Sequence, residues 1–455
     1  MKKIKFFISI ILVLVLIFVW NRYQKTNMNI FTRAEMNKGF TEFLRDDDVK
    51  YSEHKSYKLK SDQYNDAMLY TTIKVEPYTV YKVTCMVKTN NVIPKEQNKG
   101  AGACISITDS TEQSRPVTGT QDWQMIELQF NSKNRDNVSI GFRLGGNGSD
   151  CIGEAWFSDF KIEEGYADTS NDWKFTCIVL KNLDVDVEKN GKKENVKISM
   201  NNLEIQNIES DVKRFEKACS TLSGNKMTAK CDLMYIDEPI TSITFSEETG
   251  YYVSSYDCQS LIDEYVKDKN YDHIFIVIKL DSEKYKDTIE IHNWVGLGYM
   301  DYYGTGFSNI RIPSDESKFM YIYDPYINVF PEEVFVHEFL HSLERNSTEY
   351  GFETTDLHAY QNYGYKNDGL EGLKDWYAAY MSKKIYDSNT KKYIGLDERV
   401  YTLKPVHSND FTYARELKNV FVEPDNIIEE FKLILQQVTQ NLNRILNAEK
   451  ERVAI

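Results

Sequence analysis

Short runs of alternating apolar and polar residues fill the first third of the chain. Residues 56–60, 67–75, 79–88, 103–108, 123–130, 138–144 and 155–162 read this way, and segments rich in Asn, Asp, Gly and Lys separate them. A period of two places successive side chains on opposite faces of a strand. A string of such strands predicts a jelly-roll β-sandwich over residues 28–165. The alternation assigns Trp123 and Trp156 to its core, with stacking on a sugar face as the other reading.

The polar stretch 163–172 marks a boundary, and a second domain is expected over 170–455. Residues 173–180 read as its opening strand, 212–219 and 256–267 as helices, and 271–279 as a buried strand with a continuous β-branched run. Residues 294–313 are rich in Gly and aromatics. They read either as an edge strand able to align a peptide or as a hairpin that only packs. Residues 331–345 predict one helix, with Pro331 at its first position and Glu332 and Glu333 at the positive end of its dipole. Val334, Phe335, Val336, Phe339, Leu340 and Leu343 nearly surround it, so it is expected to be buried. A further helix is expected over 370–385. Residues 424–446 form an amphipathic one with Ile427, Phe431, Ile434, Val438, Leu442 and Ile445 in its stripe. The predicted fold class is multidomain, a sandwich followed by an α+β domain.

The N-terminus changes the setting. Lys2, Lys3 and Lys5 precede an apolar run over 6–20, no small-residue cleavage site follows, and Trp20 and Tyr23 suit a membrane interface. Residues 1–27 therefore read as an uncleaved signal-anchor, single-pass, with the body outside the cytoplasm. A cleaved signal peptide, giving a secreted protein, is the competing reading.

Composition narrows the function. With 455 residues and 41% hydrophobic content the chain can build two or three cores. A net charge of −14 with dispersed Lys and Arg excludes a nucleic-acid partner. Seven cysteines without a C-x-x-C pair do not describe a disulfide scaffold, though Cys219 and Cys231 are a candidate pair.

The candidate chemistry lies in His337-Glu338-Phe339-Leu340-His341. Residues four apart share a helix face, so the two imidazoles can hold one zinc ion. Glu338 follows the first ligand and can take a proton from an activated water. A catalytic zinc needs a third protein ligand and an open position. His358 is favoured on chemistry, with Glu353, Asp356 and Glu371 as alternatives. Tyr363, Tyr365, Tyr377 and His407 are candidate donors to an oxyanion.

Two resemblances follow. Lys74-Val-Glu-Pro-Tyr-Thr-Val-Tyr-Lys-Val83, Met86-Val-Lys88, Thr118-Gly-Thr-Gln-Asp-Trp123 and Gly153-Glu-Ala-Trp-Phe-Ser-Asp-Phe160 resemble the galactose-binding-like carbohydrate-binding modules. That resemblance implies a sandwich and carbohydrate as a partner. Ser158 departs from it, standing where an acid of a calcium site at Asp159 is more usual. The stretch His337–His341, with Leu357-His358 and Tyr363-Gly-Tyr365, resembles the zincin metallopeptidases. It implies zinc, Glu338 as general base and a peptide or glycoprotein substrate. A non-catalytic glycan-binding adhesin with a structural metal helix is the rival reading.

Overall fold

The computed structural model describes residues 31–417, apart from 54–55, 97–99, 147–148, 190, 293, 303–304, 313–331, 368–371 and 408–409. The expected anchor over 1–27, Pro331, Glu371 and the expected amphipathic helix over 424–446 lie outside the described residues. Among the described residues, no helix is long and apolar enough to cross a membrane.

Nine strands open the chain: β1 (Thr32–Glu35), β2 (Thr41–Asp46), β3 (Ser56–Asn65), β4 (Ala67–Lys74), β5 (Val80–Pro94), β6 (Gly102–Ile107), β7 (Gly119–Asn131), β8 (Asn137–Gly145) and β9 (Cys151–Tyr166). They form two antiparallel sheets, one ordered β1-β4-β8-β6 and the other β2-β3-β9-β5-β7. This is a β-sandwich. Its core is the inward set of each alternating run, with Leu59, Val83, Ile105, Phe142, Ala155 and Phe157 fully buried. Phe142 stacks on Phe157 at 4.8 Å. β1 and β2 escape the periodicity because they are short, polar edge strands with few buried positions.

Neither tryptophan joins that core, which corrects the expectation from alternation. Ala155 and Phe157 point inward, so Trp156 between them points outward. It is nonetheless only 6% exposed, because Lys58 Nζ caps its ring at 4.5 Å and its Nε1–H donates to Asp46 Oδ2 at 2.8 Å. Ile126, Leu128 and Phe130 take the inward positions of β7. Trp123 lies 5.8 Å from the ring of the exposed Tyr51.

The remainder is built on a mixed sheet. In chain order it contains β10 (Asp172–Leu180), the hairpin β11 (Asn182–Lys189) and β12 (Lys192–Ser199), α1 (Asn202–Leu222), β13 (Thr228–Ile236), the hairpin β14 (Thr244–Ser246) and β15 (Gly250–Tyr252), and α2 (Gln259–Tyr265). Next come β16 (His273–Lys279), β17 (Gly296–Tyr302), β18 (Thr305–Ile312), α3 (Glu333–Glu349), α4 (Lys374–Met381), the hairpin β19 (Ile385–Asp387) and β20 (Lys392–Ile394), and β21 (Thr412–Glu416). Five strands pair in the order β13-β10-β16-β18-β17. The first four are parallel and β17 is antiparallel at the edge. β10 and β16 are covered on both faces, which explains their near-continuous apolar runs.

α1 is longer than its apolar stripe suggested. The Asn201 side chain accepts from Glu204 N at 2.9 Å and Glu204 accepts from Asn201 N at 2.7 Å, a capping box about three turns before the predicted start. α3 ends where Gly351 takes φ +76°, and it packs Phe339 edge-on to Phe175 at 4.9 Å and to Trp173 at 5.1 Å. Cys219 and Cys231 are free thiols, so the candidate disulfide is absent.

The chain finally returns to the sandwich, where β21 pairs with β9. Near this crossing, the buried Lys404 donates to Asp168 Oδ2 at 2.6 Å and to the Asp172 carbonyl at 2.9 Å. Tyr78 of the sandwich stacks on Tyr350 at the end of α3, and Lys133 Nζ contacts Glu349 Oε2.

Candidate metal centre

α3 carries His337 and His341 on one face, and their Nε2 atoms lie 3.2 Å apart. His358 comes from the loop after α3, its ring centroid 5.1 Å from His337 and 5.0 Å from His341. The three residues offer ligand atoms that all lie within 4.8 Å of one another. Two nitrogens bound at about 2.0–2.1 Å to one tetrahedral ion would stand about 3.3 Å apart, so the observed pair fits.

Each ring has an oxygen partner at Nδ1, which directs Nε2 inward. His337 Nδ1 lies 3.0 Å from the Tyr377 hydroxyl, and that hydroxyl donates to Glu333 Oε1 at 3.2 Å. His341 Nδ1 lies 3.3 Å from Glu344 Oε2, and His358 Nδ1 lies 3.4 Å from Asp356 Oδ1. Protons held on Nδ1 of His337 and His341 leave their two neighbouring Nε2 lone pairs available, the tautomer that metal ligands need. Burial, then the neighbouring His341 and His358, push the His337 pKa down to about 3 and keep it neutral. His341 is driven the other way. Burial opposes its charge, but the Glu344 hydrogen bond and nearby carboxylates outweigh that and raise its pKa. The donor set therefore fits a divalent metal ion.

His358 has a side chain 61% exposed, yet its loop is pinned. Glu344 Oε1 accepts from Leu357 N at 2.8 Å, Trp376 Nε1–H donates to the Leu357 carbonyl at 2.8 Å, and the Tyr380 hydroxyl donates to the Thr355 carbonyl at 2.9 Å. Glu344 thus holds His341 with one oxygen and the His358 loop with the other. Asp356 stands behind His358, also accepting from its backbone N–H at 2.8 Å. Glu353 is exposed and outside the cluster.

Glu338 is 5% exposed. Burial pushes its pKa up to about 7, against the opposing pull of His341 and of the Gly298 backbone N–H. Edge strand β17 lies across it. A Cβ on Gly296 would fall 2.4 Å from Glu338 Cγ and Oε1, and one on Gly298 would fall 3.0 Å from Glu338 Oε2. A side chain at Gly296 would force Glu338 or the strand to shift, and one at Gly298 would be tight against α3.

An open cleft of about 440 Å3 is lined by Gly296, Leu297, Gly298, His337, Glu338, His341, Arg345 and His358. None of the four suggested oxyanion donors is among them. Tyr363 and Tyr365 pack on Trp376 at 5.9 and 5.2 Å, Tyr377 stands behind His337, and His407 pairs with Asp272 at 3.1 Å. Sequence reasoning gave Glu333 only a helix-dipole role and gave Glu344 and Arg345 no role at the site. Their only sequence signal is their spacing of three or four residues from the histidines on the same helix.

No family model matches the chain, and no curated protein matches it. Solved structures do. The enzymatically active domain of bacteriophage CBA120 tailspike protein 4 matches at 14% identity and TM-score 0.23, over 30% of this chain and 20% of that one. The chain therefore spans one fifth of that tailspike structure. TmCBM61, solved with β-1,4-galactotriose, matches at 14% identity and TM-score 0.21, over 31% of this chain and 92% of that one. The CBM22-1 xylan-binding domain of Paenibacillus barcinonensis Xyn10C matches at 12% identity and TM-score 0.21, over 29% of this chain and 85% of that one. At this level of likeness no residue role carries across.

Proposed function

We propose that the chain is an extracytoplasmic zinc metallopeptidase, membrane-anchored through residues 1–27, whose sandwich binds carbohydrate. The observation that supports the peptidase most is the convergence of His337, His341 and His358 beside the buried Glu338 in an open cleft. His337, His341 and His358 would hold the ion. When bound, zinc supplies a Lewis acid and lowers the pKa of water towards about 7.

The protein's own groups do the rest. Among the described residues no strand pairs with the second side of β17, and its Gly296, Leu297 and Gly298 line the cleft, where a substrate backbone in extended form can add as a strand. Gly296 and Gly298 let that strand approach Glu338 and leave room for the peptide. As water oxygen attacks the scissile carbonyl carbon, Glu338 takes the water proton. It then gives that proton to the amide nitrogen as the C–N bond breaks. A carboxylate with a pKa near 7 suits both halves of this transfer.

The sandwich half of the reading rests on its outer face. Trp123 and Tyr51 lie there with Lys88 and Asp122, which pair at 2.6 Å, so an apolar ring face stands beside hydrogen-bonding groups. That combination suits a sugar ring, which has apolar C–H faces and a polar rim. Binding there would concentrate the enzyme at a glycan-coated substrate.

The test is metal dependence. Chelation abolishes cleavage of a peptide library and added zinc restores it. Cleavage that survives complete metal removal contradicts the reading.

A further inference from the structure

Glu344 stands one turn after His341 on α3, and its two carboxylate oxygens face different partners. Oε2 lies 3.3 Å from His341 Nδ1, and Oε1 accepts from the backbone N–H of Leu357, the residue before His358, at 2.8 Å. An ionised carboxylate only accepts, and it can do so at both oxygens at once. A glutamine of the same length has one acceptor oxygen, and its NH2 group would set a donor against the other N–H.

The loop has further anchors, and they lead elsewhere. The Tyr380 hydroxyl donates to the Thr355 carbonyl at 2.9 Å and accepts from Thr354 Oγ1 at 3.2 Å, and Trp376 Nε1–H donates to the Leu357 carbonyl at 2.8 Å. Tyr380 and Trp376 belong to α4, so these bonds fasten the loop to α4. Glu344 fastens it to α3, the helix that bears the other two histidines. Its bond is charge-assisted, and it acts on the peptide unit directly before His358. The His358 side chain is exposed, so packing does little to place it. Its partner Asp356 is exposed too and travels with the same loop. The backbone anchor therefore sets where the third imidazole stands.

We propose that Glu344 is the positioning residue that completes the metal centre: one carboxylate turns His341 Nε2 towards the ion and delivers His358 to it. Loss of Glu344 then converts a three-histidine centre into a two-histidine one. This rests on the three-histidine centre of the proposed function and not on its peptide chemistry.

Zinc affinity of the full chain, measured against a chromophoric chelator, tests this as a double-mutant cycle. Glu344→Ala lowers affinity about 10- to 100-fold, and His358→Ala lowers it as well. In the His358→Ala background, Glu344→Ala costs several-fold less than in wild type, because the ligand it delivers is gone. In metal-free protein the Leu357 amide exchanges its hydrogen roughly tenfold faster in Glu344→Ala, while circular dichroism matches wild type. Glu344→Gln keeps the side-chain volume and decides the matter should the alanine variant not fold. With one acceptor for two N–H groups, it too loses about tenfold in affinity. Equal losses from Glu344→Ala with and without His358, unaltered affinity in Glu344→Gln, or unaltered affinity in His358→Ala overturns the proposal. A wild type that binds one zinc ion but cleaves no peptide overturns the peptidase reading and leaves this one standing. A wild type that binds no zinc overturns both.

Discussion

His337 and Tyr377 are joined by a 3.0 Å contact between Nδ1 and the phenolic hydroxyl. Because that hydroxyl donates onward to Glu333 Oε1 at 3.2 Å, it must accept from His337, which fixes the proton on Nδ1. Burial, then the Glu333 carboxylate, raises the tyrosine pKa and keeps the hydroxyl protonated.

Tyr377→Phe removes the acceptor and leaves the His337 N–H and the buried Glu333 without this partner. Metal affinity is expected to fall about 10- to 100-fold while the helix remains folded. Competition against a chromophoric chelator, alongside circular dichroism, measures both. Unchanged affinity would show that the tyrosine does not set the tautomer.

Gly296→Ala places a methyl group where Glu338 Cγ and Oε1 now lie within 2.4 Å. Either β17 or the carboxylate must move. A misplacement of about 1 Å can cost about 100-fold in rate, so kcat is expected to drop by roughly that factor with metal content intact. Zinc stoichiometry and turnover measured on the same sample separate this from loss of metal.

His273 supplies a pH prediction independent of the metal. It is fully buried, with Nε2 2.9 Å from Ser308 Oγ and Nδ1 3.4 Å from Ser342 Oγ. Burial first, then the Arg345 charge, pushes its pKa down to about 3 from 6.5. The unfolded chain therefore binds a proton below 6.5 that the folded chain refuses. The stability tied to His273 is complete above 6.5 and lost as pH falls towards 3, at about 1.4 kcal/mol per unit within the window. In urea titrations of metal-free protein at pH 7 and pH 5, wild type should lose about 2 kcal/mol relative to His273→Gln. An identical pH dependence in the two proteins would mean that His273 is charged in the folded state.

The sandwich gives a fourth prediction. On a glycan array, the full chain is expected to bind neutral oligosaccharides, and Trp123→Ala to weaken that binding by about tenfold through loss of ring stacking. Binding that Trp123→Ala and Tyr51→Ala both leave unaltered would move the site off this face. No binding by wild type would reduce the sandwich to a spacer.

Much of this architecture could be read from residue patterns, because two kinds of constraint are local. Alternation located the interior strands of the sandwich, and continuous apolar runs located β10 and β16, since burial on one or both faces leaves those signatures. The His337–His341 spacing placed two imidazoles on one turn because helix geometry is fixed. What escaped is long-range. Trp156 obeys alternation, but which parity faces the core depends on Ala155 and Phe157, and Lys58 from another strand buries the ring anyway. β21 joins β9 across more than two hundred residues, which no local pattern announces. Glu344 pins the His358 loop through Leu357 N, so the exposed histidine reaches the cluster by a tertiary contact. The buried setting of Glu338 depends on β17 crossing α3, and the two glycines that permit it are about forty residues away in sequence.

The central claim is that Glu338 moves the proton while three histidines hold the metal. Cleavage of a broad peptide library by wild type and by Glu338→Gln, with bound zinc quantified in both, tests it most directly. The account predicts one zinc per chain in each protein, cleavage by wild type and a loss of at least a thousandfold in the variant. Equal cleavage by the two proteins, or none by zinc-loaded wild type, would contradict it.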